Sequence, residues 1–204
     1  SSILSDVEKL SRGTAFWRCF THWIGGMGVL VFIMAVMPLS DSSSMHLMRA
    51  ESPGPAVGKL VPKVKTTAMI LYGIYVVFTV IEIIALLIAG MPLFDSMTLT
   101  FGTVGTGGFG LLNSSIASYS TAVQIIITVF MIICSINFTV YYMFLIKRPK
   151  EALMCEEMRY YLLIVFGSAL LIAFNIRASF ASFGKAFQQA IFQVASVIST
   201  TGFA

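Results

Sequence analysis

The sequence predicts an all-α membrane protein built from repeated units of helix, re-entrant loop and helix. Three observations predict it. Of its 204 residues 57% are hydrophobic and 11% charged, against about 45–50% and about 25% in an ordinary soluble domain, and the mean hydropathy is +0.90. Several stretches are uncharged over the roughly 20 residues that a helix needs to cross a bilayer core. One of them is too long for a single crossing and is interrupted by a glycine-rich block whose pattern returns at the end of the chain. This composition excludes a disordered chain, a nucleic-acid-binding module and most water-soluble enzymes. The net charge of +4 comes from 13 basic residues spread thinly, which read as topology signals rather than a phosphate-binding face. Cys19, Cys134 and Cys155 show neither metal-ligand spacing nor the even count of a disulfide framework.

The first region, 1–39, has a polar start of mixed charge, SSILSDVEKLSR, unlike a signal peptide's basic segment and short apolar core. A spanning helix follows over 16–39, and residues 40–65 form a loop. Both ends read as cut, without an initiating Met and stopping in an apolar segment, so a portion of a longer protein is expected. Region 66–146 is a complete unit. Its first span, 66–93, carries one charge, Glu82. Residues 94–104 provide only about 16 Å of helix and cannot cross. The block GTVGTGGFG at 102–110 follows, then Asn113, Ser114, Ser115, Ser118 and Ser120. Residues 121–146 are expected to cross as one full helix. Irregular backbone at membrane depth persists only where protein buries it or where it lines a watery cavity, a condition that a re-entrant pore loop meets. A second loop, 147–159, leads into region 160–204, with a span over 160–176, a short helix over 186–198 and the closing TTGFA.

Basic residues orient these elements. Arg49, Lys59, Lys63 and Lys65 lie in one loop, and Lys147, Arg148, Lys150 and Arg159 in or at the edge of the other, whereas residues 90–120 contain none. The positive-inside rule makes both loops cytoplasmic and brings the glycine-rich loop in from outside. Lys9, Arg12, Arg18, Arg177 and Lys185 weigh against this assignment.

VGTGGFG at 104–110 aligns with ISTTGFA at 198–204, an offset of 94 residues, and a short apolar helix precedes each. Each repeat is therefore a span, a half-helix and Thr-x-Gly-Phe. A cation crossing the bilayer must exchange its water for other oxygens, and potassium filters supply backbone carbonyls from such loops. Glycine permits the backbone angles that aim successive carbonyls one way, threonine adds a hydroxyl oxygen, and the carbonyl end of a short helix favours a cation.

The phrase FWRCFTHWIGGMG at 16–28, followed by TVGTGGF and STTGF, closely resembles the bacterial Trk/Ktr potassium uptake family, within a superfamily that includes the fungal Trk and plant HKT proteins. The resemblance covers nearly the whole chain. It implies four span–pore-loop–span units arranged pseudo-fourfold around one path, of which about two are present here, beginning after the first filter and ending at the third. It assigns the ion-binding backbone to Thr106, Gly107, Gly108 and Phe109 and to Thr200, Thr201, Gly202 and Phe203, with potassium as the transported ion and no cofactor in the chain. It further implies a multi-pass protein of the bacterial cell membrane, a homodimer with one pore per protomer, and a ring of cytosolic regulators that bind nucleotides. Two filter strands of four cannot enclose an ion, so this portion alone is not expected to conduct.

Other readings compete. Gly105 to Gly110 matches the GxGxxG dinucleotide fingerprint, but the next acidic residue is Glu151 and the fingerprint needs one about 20 positions on. No Lys-Ser or Lys-Thr pair follows these glycines, which disfavours a phosphate loop. Gly25, Gly26 and Gly28 suit close helix packing in lipid better than an ion path. His22 reads as interfacial or structural, and Asn137 as a bridge between helices. Glu82 stands midway along a span, where a carboxylate is a functional candidate, with a structural hydrogen bond or protonation as equal alternatives. The 147–160 loop reads as a solvated turn or as a docking edge for the regulator, a role that residues 45–65 share. A sodium-permeable or mixed-cation member of the superfamily, a membrane-embedded enzyme and a non-conducting structural subunit remain as alternative functions.

Overall fold

The computed structural model describes Leu4, residues 6–28 and residues 64–204. The span expected over 16–39 is described only to Gly28, and its helix already ends at Gly26, with Gly28 at φ +75°; residues 40–63 of the expected loop, with Arg49, Lys59 and Lys63, lie outside the described residues. Among the described residues all regular structure is helical.

Helix α1 (Arg12–Gly26) is capped by Ser11, whose side chain accepts from the Thr14 amide at 3.3 Å. Helix α2 (Val64–Ile88) is a long apolar rod that ends before Gly90, at φ +85°. The turn through Gly90 and Pro92 reverses the chain into the half-helix α3 (Leu93–Val104). That start is one residue earlier than the sequence suggests, because Pro92 takes the N-cap place and ends the preceding span. After the first glycine-rich loop, Ser120 caps α4 (Thr121–Cys134).

The single helix expected over 121–146 is corrected here. It divides into α4 and α5 (Phe138–Leu145), bent by 84°. Ser135 donates back to the Met131 carbonyl at 2.7 Å, and Asn137 accepts from the Thr139 amide at 3.0 Å, capping a new helix in another direction. The apolar run continues through the break, so hydropathy does not reveal it. The expected 147–159 loop is also more ordered than its charge suggests. It contains the one-turn α6 (Pro149–Leu153), and α7 (Glu156–Ile176) begins inside it, with Glu156 and Glu157 at the favourable end of the helix dipole. A turn of 3-10 helix leads to α8 (Phe183–Ile198), capped by Ser182.

Helices α2 and α7 are each long and apolar enough to cross a membrane, and the bent α4–α5 pair is a third candidate. Their outward faces are apolar. Val77, Val80, Ile81, Ile84 and Ile88 project from α2, and Leu163, Ile164, Leu171 and Phe174 from α7. The buried positions include Thr79, Glu82, Ser96, Thr98, Thr100, Thr103 and Ser196. An apolar exterior around an interior that mixes apolar and polar side chains suits lipid contact.

The core joins the two repeats. Leu86, Leu99, Ile127, Met131, Phe192 and Phe203 form one buried cluster, in which side chains from the first unit meet α8 and its loop. Helix α8 packs along α7 and against α4, and α3 packs between α1 and α2. The half-helices are thus held in the interior with their C-terminal ends leading into the two loops.

Candidate ion-binding loops

Each loop grows from the C-terminus of its half-helix. In the first, Thr106 stands just past the end of α3 at φ +51°, its amide donating to the Thr103 carbonyl at 3.0 Å and the Gly107 amide to Gly102 at 2.8 Å. This is a Schellman ending, in which glycine ordinarily takes the left-handed position. A β-branched residue there is a true backbone outlier, at a cost of about 1–3 kcal/mol. The second loop repeats the threonine's part of it, while the Thr201 amide, the counterpart of Gly107, donates to the Ser199 hydroxyl at 3.3 Å. Thr200 lies at φ +58°, with its amide on the Val197 carbonyl at 3.1 Å. Gly108 and Gly202 follow at φ +63° and +78°. Their amides donate to Gly102 at 3.1 Å and to Ser196 at 3.2 Å, carbonyls that correspond at the same offset of 94. Two sequences that share little beyond Thr-x-Gly-Phe therefore adopt one backbone, strain included.

The loops meet each other. A side chain added at Gly108 would fall on the Thr201 carbonyl, so only glycine lets the two strands approach. Of the eight residues that the sequence marks, Thr106 to Phe109 and Thr200 to Phe203 come together as two facing segments. Among the described residues, no hydrogen bond reaches the carbonyls of Thr106, Gly107, Gly108, Thr200, Thr201 or Gly202. The carbonyls that follow do have partners: Phe109 accepts from the Cys19 thiol at 3.5 Å and Phe203 from the Ser196 hydroxyl at 2.5 Å. Thr201 is fixed by Ser199, whose hydroxyl is 2.7 Å from its own.

Helix α1 backs the first loop. His22 lies against Gly107, leaving no room for a side chain there, and its ring meets Phe109 edge-on at 4.2 Å. Arg18 covers the Phe109 ring at 3.9 Å and donates to the Gly110 carbonyl at 3.4 Å. A side chain at Gly26 would lie 2.7 Å from the Gly105 Cα, so this glycine does serve close packing, whereas Gly25 meets nothing within 4 Å. Tyr75 and Trp23 lock α1 to α2, the tyrosine donating to the Trp23 carbonyl at 2.8 Å and the indole to Thr79 at 2.9 Å. His22 is thus structural as read, packed on the first loop.

Past the loops the chain is tied from unit to unit. Asn113 accepts from the Val7 amide at 2.9 Å and donates to Asp6 at 2.8 Å, while its own amide reaches Glu8 at 3.0 Å. The Ile116 amide donates to the Ala204 carbonyl at 3.0 Å, and the Ala204 amide to Ser115 at 3.1 Å. Asn137 does bridge helices, donating to Glu157 at 3.4 Å besides capping α5.

Glu82 is fully buried on α2, and among the described residues neither carboxyl oxygen has a hydrogen-bond partner. The Thr103 hydroxyl is near it but donates instead to the Leu99 carbonyl at 2.9 Å. The structural hydrogen bond considered for Glu82 is therefore not made among the described residues.

Sequence reasoning missed Cys19, Arg18 and Ser196 as supports of the loops. The repeat register carries a signal for the last, since it sets Ser196 opposite Gly102.

The whole chain, residues 1–204, matches the model of a family described as TrkH, cation transport protein. It is 32% identical over its full length to the Trk system potassium uptake protein TrkH of Vibrio parahaemolyticus and 33% identical to that of Salmonella typhimurium, covering 43% of each. The crystal structure of the potassium transporter TrkH from Vibrio parahaemolyticus matches with a TM-score of 0.81 at 28% identity, over 100% of this chain and 42% of that one. The chain thus spans less than half the length of these relatives.

Proposed function

Because the chain belongs to the TrkH family of cation transport proteins, we propose that it forms part of the ion-translocating subunit of a potassium uptake system in a bacterial membrane. Residues 106–109 and 200–203 form two of its filter strands, in which the carbonyls of Thr106, Gly107 and Gly108 and of Thr200, Thr201 and Gly202 replace the ion's water, while Phe109 and Phe203 close each strand with carbonyls bonded to the protein. The observation that carries this reading is the shared backbone of the two loops: the same strained threonine, the same left-handed glycine and, at one offset, the same ties from the amides of both to half-helix carbonyls. Strain kept at equivalent positions of two repeats points to a functional requirement.

Transport then needs no bond making. An entering ion gives up water for carbonyl oxygens that are pre-aimed by the loop and spend no hydrogen bond on the protein. The ends of α3 and α8 place their negative dipole ends behind the loops, which favours a cation. No charged side chain occurs in either loop, which suits ion binding by backbone oxygens in a protein that acts as a conduit. The complete assembly is a homodimer with one pore per protomer, seated on a cytosolic ring of nucleotide-binding regulators. The charged segment around α6 and the start of α7 is the edge that meets this ring. Its Arg148 and Glu151 side chains, 3.3 Å apart, are more than half exposed.

The test is growth of a bacterium lacking its own potassium uptake, on limiting potassium, carrying the full-length parent protein or its Gly108→Ser or Gly202→Ser variant. The parent restores growth and the variants do not, at equal membrane levels. Growth equal to the parent's in both variants refutes the reading.

A further inference from the structure

The ion-facing part of each strand has a defined end. We propose that Ser196 and Cys19 are positioning residues that turn the carbonyls of Phe203 and Phe109 back into the protein, so that ion-facing carbonyls stop at Gly202 and Gly108. The inference rests on reading the two loops as a cation filter.

Both phenylalanine carbonyls point to the same place, the half-helix residue seven positions earlier. In the second loop that residue is Ser196, 2% exposed, whose hydroxyl donates to the Phe203 carbonyl at 2.5 Å. In the first loop it is Gly102, and a Cβ added there would lie 2.8 Å from the Phe109 oxygen. Gly102 brings no donor, and the proton comes instead from Cys19 on α1, a fully buried thiol 3.5 Å from that oxygen. A thiol is the weaker donor. The residues beyond continue the pattern, Gly110 accepting from Arg18 and Ala204 from Ile116. The three carbonyls before each phenylalanine accept no hydrogen bond among the described residues. The change from unbonded to bonded therefore falls at one register in both repeats, although different side chains bring it about. A carbonyl held by a buried hydroxyl is not free to follow an ion, so these donors set the length of the filter.

The experiment compares potassium uptake kinetics and potassium-over-sodium preference in full-length parent and variants at equal membrane levels. Ser196→Ala removes one oxygen and leaves the Phe203 carbonyl unbonded. It is expected to raise KM for potassium roughly 3- to 10-fold and to change the ion preference. Ser196→Thr keeps the hydroxyl and the parental values. Cys19→Ala acts in the same direction by about 2-fold, as suits a weaker donor. Parental KM and preference in Ser196→Ala, or equal shifts in the Ala and Thr variants, overturn the proposal. Gly202→Ser in the same assay keeps the two readings apart. If it impairs uptake while Ser196→Ala behaves as the parent, only the positioning role fails; if it leaves uptake intact, the filter reading itself fails.

Discussion

Gly26 offers a sharp test of how the first loop is supported. Replacing it by alanine adds one methyl group, which would sit 2.5 Å from the Tyr75 hydroxyl, 3.3 Å from its Cζ and 2.7 Å from the Gly105 Cα. The two latter neighbours are a ring held in a buried site and a backbone atom of the loop, so neither yields as the end of a free side chain does. Overpacking of this kind costs about 1–3 kcal/mol. Displacing the Tyr75 hydroxyl also loosens its 2.8 Å bond to the Trp23 carbonyl, adding about 0.5–1.5 kcal/mol. The expected loss is therefore roughly 1.5–4.5 kcal/mol, seen as a lower melting temperature of the purified full-length protein in detergent, together with reduced potassium uptake. Gly25→Ala is the internal control, because nothing lies within 4 Å of a Cβ at that position. Tyr75→Phe in the Gly26→Ala background removes the closest clash and recovers about 1 kcal/mol of coupling. A Gly26→Ala protein that melts and transports like Gly25→Ala refutes the close packing of α1 on the loop.

Two further outcomes follow from single observations. Glu82→Leu removes a buried carboxyl group that has no hydrogen-bond partner among the described residues, so chemical denaturation of the full-length protein should show a gain of about 1–3 kcal/mol; a loss contradicts the unpartnered state. Asp6 is held below its ordinary carboxylate value of 3.8 by the hydrogen bond from Asn113 and then by Lys9. A lowered value in the folded protein means that the tie is fully present above pH 3.8 and is lost as the pH falls through the lower folded value. Hydrogen exchange at the Val7 amide, which donates to Asn113 at 2.9 Å, should stay protected down to that pH and lose protection in Asn113→Ala; protection that fades well above pH 3.8 contradicts it.

What the sequence makes legible is the position of the loops, and what it hides is direction. Thr-x-Gly-Phe marks both loops because a left-handed glycine recurs there two residues after a threonine held in the same strained conformation, and the half-helices follow from apolar runs too short to cross. The observed α3 and α8 begin one and three residues before the expected bounds, at Leu93 and Phe183. The break between α4 and α5 escapes because Cys134, Ile136 and Phe138 keep the run apolar through it, while the chain turns by 84°. Its trace is Asn137, a good N-cap residue inside an apolar stretch. Cys19 and Ser196 escape for a different reason. Their roles depend on where two carbonyls point, which is a property of tertiary packing, and a buried thiol or hydroxyl has the same composition whichever way its neighbour turns.

The central claim is that the Gly108 and Gly202 segments bind the ion through backbone carbonyls, and the rubidium or potassium uptake KM of the full-length Gly108→Ala and Gly202→Ala proteins tests it most directly. At φ +63° and +78° a side chain forces the backbone from its angles or strains it by about 1–3 kcal/mol. A change of that size in ion binding raises KM roughly 5- to 150-fold at equal membrane levels. Kinetics indistinguishable from the parent's in both variants would contradict the claim.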